Sequence, residues 1–133
     1  MGNDLLSWRS KKQPIASKSS TEAEYRSLSY VTSEIVWLRK LLLHFEVDVP
    51  SVMLFCDNKS AINLASNPAH HERSKHIDID HHFIWEYVQS KVIKLVHVKS
   101  QHQDADVFTK ALLGPVFYKF IVKLEMINIY SPT

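Results

Sequence analysis

The longest periodic segment of the chain constrains its fold most strongly. Apolar residues recur at helical spacing and predict a core-facing stripe formed by Leu28, Val31, Ile35, Leu38, Leu42 and Phe45. Ser19 is followed three residues later by Glu22, which is typical of a capping box at the start of a helix. The sequence therefore predicts a long amphipathic helix that begins at Ser19 and runs to about Glu46.

Two further segments have the pattern of strands. The run Val52–Cys56 (VMLFC) is almost continuously apolar and follows a helix, so we expect a parallel strand buried on both faces. Val92–Val98 (VIKLVHV) alternates between apolar and polar residues and predicts a second strand. The first of these strands would deliver Asp57 at its carboxyl end, where functional groups collect in open α/β sheets.

The remaining elements are shorter. Leu5–Lys12 is predicted to be an edge or surface strand, ended by Pro14 because proline cannot donate to a ladder. The polar residues 69–76 are expected to form an exposed loop. Helices are predicted for four segments: Asn58 to Ala65 with Asn58 as the cap, a stretch from about Ile77 through Gln89, Asp104 to Leu112, and Phe117 to Ile127.

Length and composition favour one intracellular domain. The 133 residues are expected to form a single domain, and 45% hydrophobic residues are too many for a disordered chain. Cys56 is the only cysteine, which excludes an intrachain disulfide and favours a reducing, intracellular setting, cytoplasmic or nuclear. No apolar segment is long enough to span a membrane. A net charge of +2 permits a nucleic-acid partner without requiring one.

Three acidic residues occupy similar positions in the predicted architecture. Glu24 lies near the start of the long helix, Asp57 ends the buried strand, and Asp106 lies in the first turn of a later helix. Strand ends and helix starts can meet at one rim of a sheet, and clustered carboxylates are stabilised mainly by divalent cations. Each acid also has a simpler interpretation: Glu24 could favour the positive end of the helix dipole, Asp106 could be a cap, as could Asp104, and Asp57 could end a strand in a turn.

Five ordered segments carry the most specific signal: LSWRSKKQ from Leu6, SSTEAEY from Ser19, CDNKSA from Cys56, SKHID from Ser74 and ADVFTK from Ala105. Together they closely resemble the ribonuclease H domain of copia-type retrotransposon polyproteins. The resemblance covers nearly the whole chain. It implies an α/β, ribonuclease H-like fold with a mixed sheet and flanking helices.

The resemblance also implies a function. Glu24, Asp57 and Asp106 match the family's second, third and fourth metal-binding acids, whereas Glu22 is the less suitable match. The expected cofactor is Mg²⁺ or Mn²⁺ in a two-ion site, and the expected reaction is hydrolysis of the RNA strand of an RNA–DNA hybrid during reverse transcription. The implied partners are that hybrid and the upstream reverse transcriptase region of a parent polyprotein. A membrane partner and a small-molecule substrate are not expected.

One departure from the family leaves the catalytic status open. The family's first metal-binding aspartate lies on a strand that would precede Leu5, so the first two strands have no counterpart here. This predicts exposed strand edges, an uncovered face of the long helix and fraying of Leu5–Lys12. It also predicts little or no hybrid cleavage by the chain alone. The alternative is a non-catalytic remnant that binds nucleic acid or a partner protein.

Basic and histidine residues complete the predicted site. Contacts to the phosphates of a hybrid are expected from Arg9, Lys11, Lys12, Lys18, Asn58, Lys59, Arg73 and Lys75. The tryptophans Trp8, Trp37 and Trp85 are expected to pack within the protein rather than to serve as platforms on which bases stack. Most of the eight histidines lie in the second half of the chain. His76 with Asp80, or Asp78 with His82, could place two ligands on one helical face, but no cysteine partner or His-Glu-x-x-His pattern supports zinc binding.

Overall fold

The computed structural model describes residues 7–14, 16–67 and 78–130. It contains four α-helices and two strands in these residues, in the order α1 (Ser20–His44), β1 (Val52–Cys56), α2 (Lys59–Ser66), α3 (Asp78–Gln89), β2 (Ile93–His97) and α4 (Gly114–Lys123). Two short 3₁₀ helices, Ser100–His102 and Asp104–Phe108, lie between β2 and α4. The chain divides into two compact units: Ile15–His102, and Met1–Pro14 together with Gln103–Thr133.

Helix α1 begins as predicted, but it buries a different face. The Ser19 hydroxyl accepts a hydrogen bond from the Glu22 backbone N–H at 3.1 Å, so Ser19 is the cap. The residues buried on α1 are Tyr25, Leu28, Ser29 and Thr32. The predicted stripe was wrong at three positions. Val31 and Leu38 on the helix, and Phe45 just after it, are exposed. The helix carries apolar residues on two faces, and periodicity alone could not identify the one that packs.

The strands β1 and β2 form a parallel pair, with Val52 opposite Ile93 and Cys56 opposite His97. The predicted bounds of β1 are confirmed, but its predicted burial on both faces was wrong. Met53 and Phe55 are 62% and 51% exposed, whereas Cys56 is 2% exposed. In the part of the chain that the structure describes, helices cover only the face of β1 that carries Leu54 and Cys56.

The core of the Ile15–His102 unit lies between this sheet face and the helices. It consists of the buried side chains of Tyr25, Leu28, Cys56, Ala61, Ala65 and Ile84. The small side chains of Ala61 and Ala65 place the backbone of α2 close to its neighbours. This packing fixes the start of α1 and the end of β1, the two places at which Glu24 and Asp57 lie.

The second unit contains fewer buried side chains. Phe120 is the buried residue of α4. Trp8 is 60% exposed and stacks on Phe108, with ring centroids 5.0 Å apart and an interplanar angle of 7°. The expectation that Trp8 and Trp37 pack inside the protein was wrong, because both are mostly exposed.

Three sequence-based boundaries in this unit also change. The predicted strand Leu5–Lys12 was wrong over its described part, since residues 7–12 form no strand. The predicted helix from Asp104 to Leu112 is a 3₁₀ helix that ends at Phe108. Helix α4 begins at Gly114, with Pro115 in its first turn, rather than at Phe117. Proline lacks a backbone N–H and suits the first helical turn, where that donor has no partner within the helix.

Two predictions concern the whole molecule. The ribonuclease H-like fold and the single domain stay predictions, and the described residues provide a two-stranded parallel sheet with helices against it.

None of the helices in the described segments has both the length and the apolar character that crossing a membrane requires.

Candidate metal centre

Asp57 is held between a strand and a helix. It directly follows β1, and the carbonyl of Cys56 accepts a hydrogen bond of 3.0 Å from the backbone N–H of Val98 beyond β2. The next residue, Asn58, caps α2 by accepting a hydrogen bond from the Ala61 N–H at 3.0 Å. The backbone on both sides of Asp57 is therefore fixed by hydrogen bonds, which limits where its carboxylate can lie.

Glu24 and Glu22 lie two residues apart on α1 and have different surroundings. Glu22 accepts hydrogen bonds from the Lys18 backbone N–H and from Arg26, both at 2.8 Å. The hydrogen bond from Lys18, followed by that from Arg26, holds the pKa of Glu22 below its usual value. Glu24 instead approaches Asp57. That Glu24, rather than Glu22, matches the family's metal-binding acid stays a prediction.

The carboxylates of Glu24 and Asp57 converge with the thiol of Cys56. One ligand atom from each residue lies within 4.8 Å of the other two. Both acids are half-buried, and Cys56 is buried. Burial raises the pKa of the Cys56 thiol; a backbone hydrogen bond at Asn58 lowers it, and the charges of Glu24 and Asp57 raise it further. Two converging carboxylates repel each other, and a divalent cation between them would remove that repulsion.

The two carboxylates line an open pocket of about 450 Å³. All of its lining residues are polar or charged: Ser20, Glu24, Asp57, Asn58, Lys59, Ser60, His97 and Ser100. They come from the starts of α1 and α2, from the ends of β1 and β2, and from the 3₁₀ helix Ser100–His102. Oxygen-rich, partly exposed surroundings suit Mg²⁺, which keeps several of its water molecules when it binds to one or two carboxylates. The donor set therefore fits the predicted cation.

Asp106 lies in the other compact unit. It is on the 3₁₀ helix Asp104–Phe108, and its carboxylate forms an ion pair of 2.9 Å with Lys110. Its side chain is 15% exposed, whereas that of Lys110 is 56% exposed. Within the Ile15–His102 unit Glu24 and Asp57 lie together, and within the other unit Asp106 has a basic partner.

The predicted phosphate contacts are distributed over both units. Lys59 lines the pocket, as does Asn58, although the side-chain oxygen of Asn58 is used to cap α2. The other described basic residues of the set are exposed; they are Arg9, Lys11, Lys12 and Lys18. Arg73 and Lys75 lie outside the described residues. Their predicted contacts with nucleic acid stay predictions.

Sequence reasoning missed two residues of this site. Cys56 was predicted to end β1 but was given no role at the site, although it directly precedes Asp57. His97 lies opposite Cys56 in the sheet and lines the same pocket. A usable signal was present: parallel strands end at the same edge, so the last residues of the two predicted strands were candidates for one site.

Comparison with known proteins identifies relatives that extend over nearly the whole chain. The Retrovirus-related Pol polyprotein from transposon RE2 of Arabidopsis thaliana is 43% identical over 131 residues, which is 97% of this chain. That from transposon RE1 of the same plant is 42% identical over 131 residues. The chain is similar to one segment of transposon Pol polyproteins. The corresponding protein from transposon TNT 1-94 of Nicotiana tabacum is 35% identical over 126 residues.

These relatives confirm the prediction that the chain is related to Pol polyproteins of copia-type transposons. The chain spans 9% of the length of each relative. No protein-family model matches the chain. No solved structure matches it either. Its assignment to the ribonuclease H region in particular stays a prediction.

Proposed function

We propose that the chain corresponds to the ribonuclease H region of a transposon Pol polyprotein and acts on RNA–DNA hybrids. The observation that carries the proposal is the convergence of Glu24 and Asp57 at the end of β1, within 4.8 Å of each other. These are two of the three acids that the family resemblance assigns to metal binding. The similarity to Pol polyproteins also supports this proposal, because it extends over the part of the chain that contains both residues.

The residues around the two acids suit a phosphate-containing substrate. Lys59 lines the pocket with Glu24 and Asp57 and would attract a phosphate of the hybrid backbone. The hydroxyl-bearing residues Ser20 and Ser60 line it at the starts of α1 and α2, where backbone N–H groups favour anions. Mg²⁺ or Mn²⁺ bound to the carboxylates would supply Lewis-acid activation of water and of the phosphodiester.

A non-catalytic role is the second candidate. It is favoured by Asp106, whose charge is compensated by Lys110 at 2.9 Å. A chain that places only Glu24 and Asp57 on a cation would bind the hybrid through that cation without completing a two-ion site. The two candidates share the same pocket and differ only in whether the RNA strand is cleaved.

Hybrid binding and cleavage can be measured together with the intact chain. We expect an RNA–DNA hybrid to bind in the presence of Mg²⁺ or Mn²⁺, and binding to weaken on addition of a chelator. Asp57→Asn should weaken metal-dependent binding on the order of tenfold, because it removes one of two charged ligands. Asp48→Asn is the matched control, since Asp48 is exposed and lies before β1, at the opposite end of that strand.

The outcomes separate the candidates. Cleavage of the RNA strand that requires metal and Asp57 would assign catalysis to this chain. Metal-dependent binding without cleavage would assign the non-catalytic role. Binding that is unaffected by chelator and by Asp57→Asn would overturn the proposal.

A further inference from the structure

A sulfur donor that a magnesium site does not need lies beside the two carboxylates. Cys56 is 2% exposed, and its thiol lies within 4.8 Å of one carboxylate oxygen from each of Glu24 and Asp57. Ligand atoms of a tetrahedral zinc ion are about 3.4 to 3.8 Å apart, given Zn–O and Zn–S distances of about 2.1 and 2.3 Å. The three donors are therefore close to the spacing of one zinc coordination sphere, and small side-chain movements would complete it.

A fourth donor lies on the neighbouring strand. His97 is the register partner of Cys56 in the parallel pair. Leu54 pairs with Leu95, and both pack against the core. Side chains two residues apart on a strand point to the same face, so Cys56 and its partner His97 lie on that face as well. His97 also lines the pocket that contains both carboxylates. Its imidazole is thus on the same side of the sheet as the thiol, exposed at the same strand ends and outside the group of three donors that lie within 4.8 Å of one another.

The chemistry of these donors distinguishes between cations. Mg²⁺ is a hard ion that takes oxygen ligands, so neither the thiol nor the imidazole would strengthen its binding. Zn²⁺ binds cysteine, histidine and carboxylate ligands, and it lies above Mn²⁺ in the usual order of affinities. Each of the four side chains supplies a ligand of a type found in protein zinc sites.

We propose that Glu24, Cys56, Asp57 and His97 form a site that binds Zn²⁺ more tightly than Mg²⁺. Zinc would occupy the same two carboxylates to which the proposed function assigns Mg²⁺. Bound zinc would exclude Mg²⁺ from the pocket, and this regulatory consequence rests on the proposed function. Zinc binding itself does not, because it requires no nucleic acid.

Cobalt spectroscopy tests the site directly. Co²⁺ replaces Zn²⁺ with similar geometry, and a cysteine ligand gives a thiolate-to-cobalt charge-transfer band in the near ultraviolet. We expect this band on titration of the intact chain with Co²⁺, its loss on addition of stoichiometric Zn²⁺, and its persistence in a large excess of Mg²⁺. Cys56→Ser should abolish the band. His97→Gln should weaken Co²⁺ binding on the order of tenfold or more.

Two features of the design keep the test decisive. Cys56 is a core residue, so Cys56→Ser could also affect folding. His97→Gln provides a second variant that leaves the core unchanged. Circular dichroism reports whether both variants fold. His44→Gln is the matched control, because His44 is an exposed histidine at the other end of the unit's longest helix.

Absence of the band in the folded chain would overturn the proposal. So would a band that survives in Cys56→Ser, or equal weakening by His97→Gln and His44→Gln. Loss of hybrid cleavage or binding alone would leave it intact.

Discussion

The two regions that contain the predicted acids are built differently. Glu24 and Asp57 lie above a packed core, and the backbone at Asp57 is fixed by the sheet and by the cap of α2. Asp106 lies on a five-residue 3₁₀ helix and pairs with the exposed Lys110. Surface ion pairs contribute little to stability, whereas burial of large side chains contributes much. The first region is therefore pre-organised for a ligand by its packing, and the second is positioned mainly by local contacts.

The largest expected effect comes from removing the core beneath the first region. Tyr25 is fully buried beside Glu24, so Tyr25→Ala should lower the free energy of unfolding by about 3–5 kcal/mol. Trp8 is mostly exposed and stacks on Phe108 near Asp106, so Trp8→Ala should lower it by about 1 kcal/mol. Urea denaturation followed by circular dichroism measures both. Equal losses would remove the proposed difference in packing between the regions.

A smaller effect is expected from the start of α1, which carries Glu24. Ser19→Ala removes the hydroxyl that accepts from the Glu22 N–H, and it should lower the free energy of unfolding by about 1 kcal/mol. Ser10→Ala is the control, since Ser10 is exposed and lies outside any helix or strand. The same denaturation measurement applies. A cap variant as stable as the control would mean that Glu24 is positioned without help from the cap.

The sequence predicted the parts of the first region that depend on local chemistry. The cap at Ser19 and the cap at Asn58 follow from short-range hydrogen bonding, and the apolar run located β1 with its following aspartate. Which face of α1 packs could not be predicted, because α1 has apolar residues on both sides. That choice depends on long-range packing against α2 and α3 rather than on spacing along the chain.

The sequence also left gaps at the site itself. Cys56 and His97 come together only because β1 and β2 are adjacent and in register, which no local pattern specifies. Asp106 was predicted from resemblance, and its ion pair with Lys110 has the i,i+4 spacing at which opposite charges meet on a helix, so the spacing could have indicated it.

Binding of Mn²⁺ without nucleic acid tests the central claim, that Glu24 and Asp57 form one divalent-metal site. Electron paramagnetic resonance measures free Mn²⁺ during titration of the intact chain. Glu24→Gln and Asp57→Asn should each weaken binding on the order of tenfold. Glu22→Gln should bind as the unchanged chain does, since Glu22 is occupied by Lys18 and Arg26. Equal weakening by Glu22→Gln and Glu24→Gln, or undiminished binding by Asp57→Asn, would contradict the account.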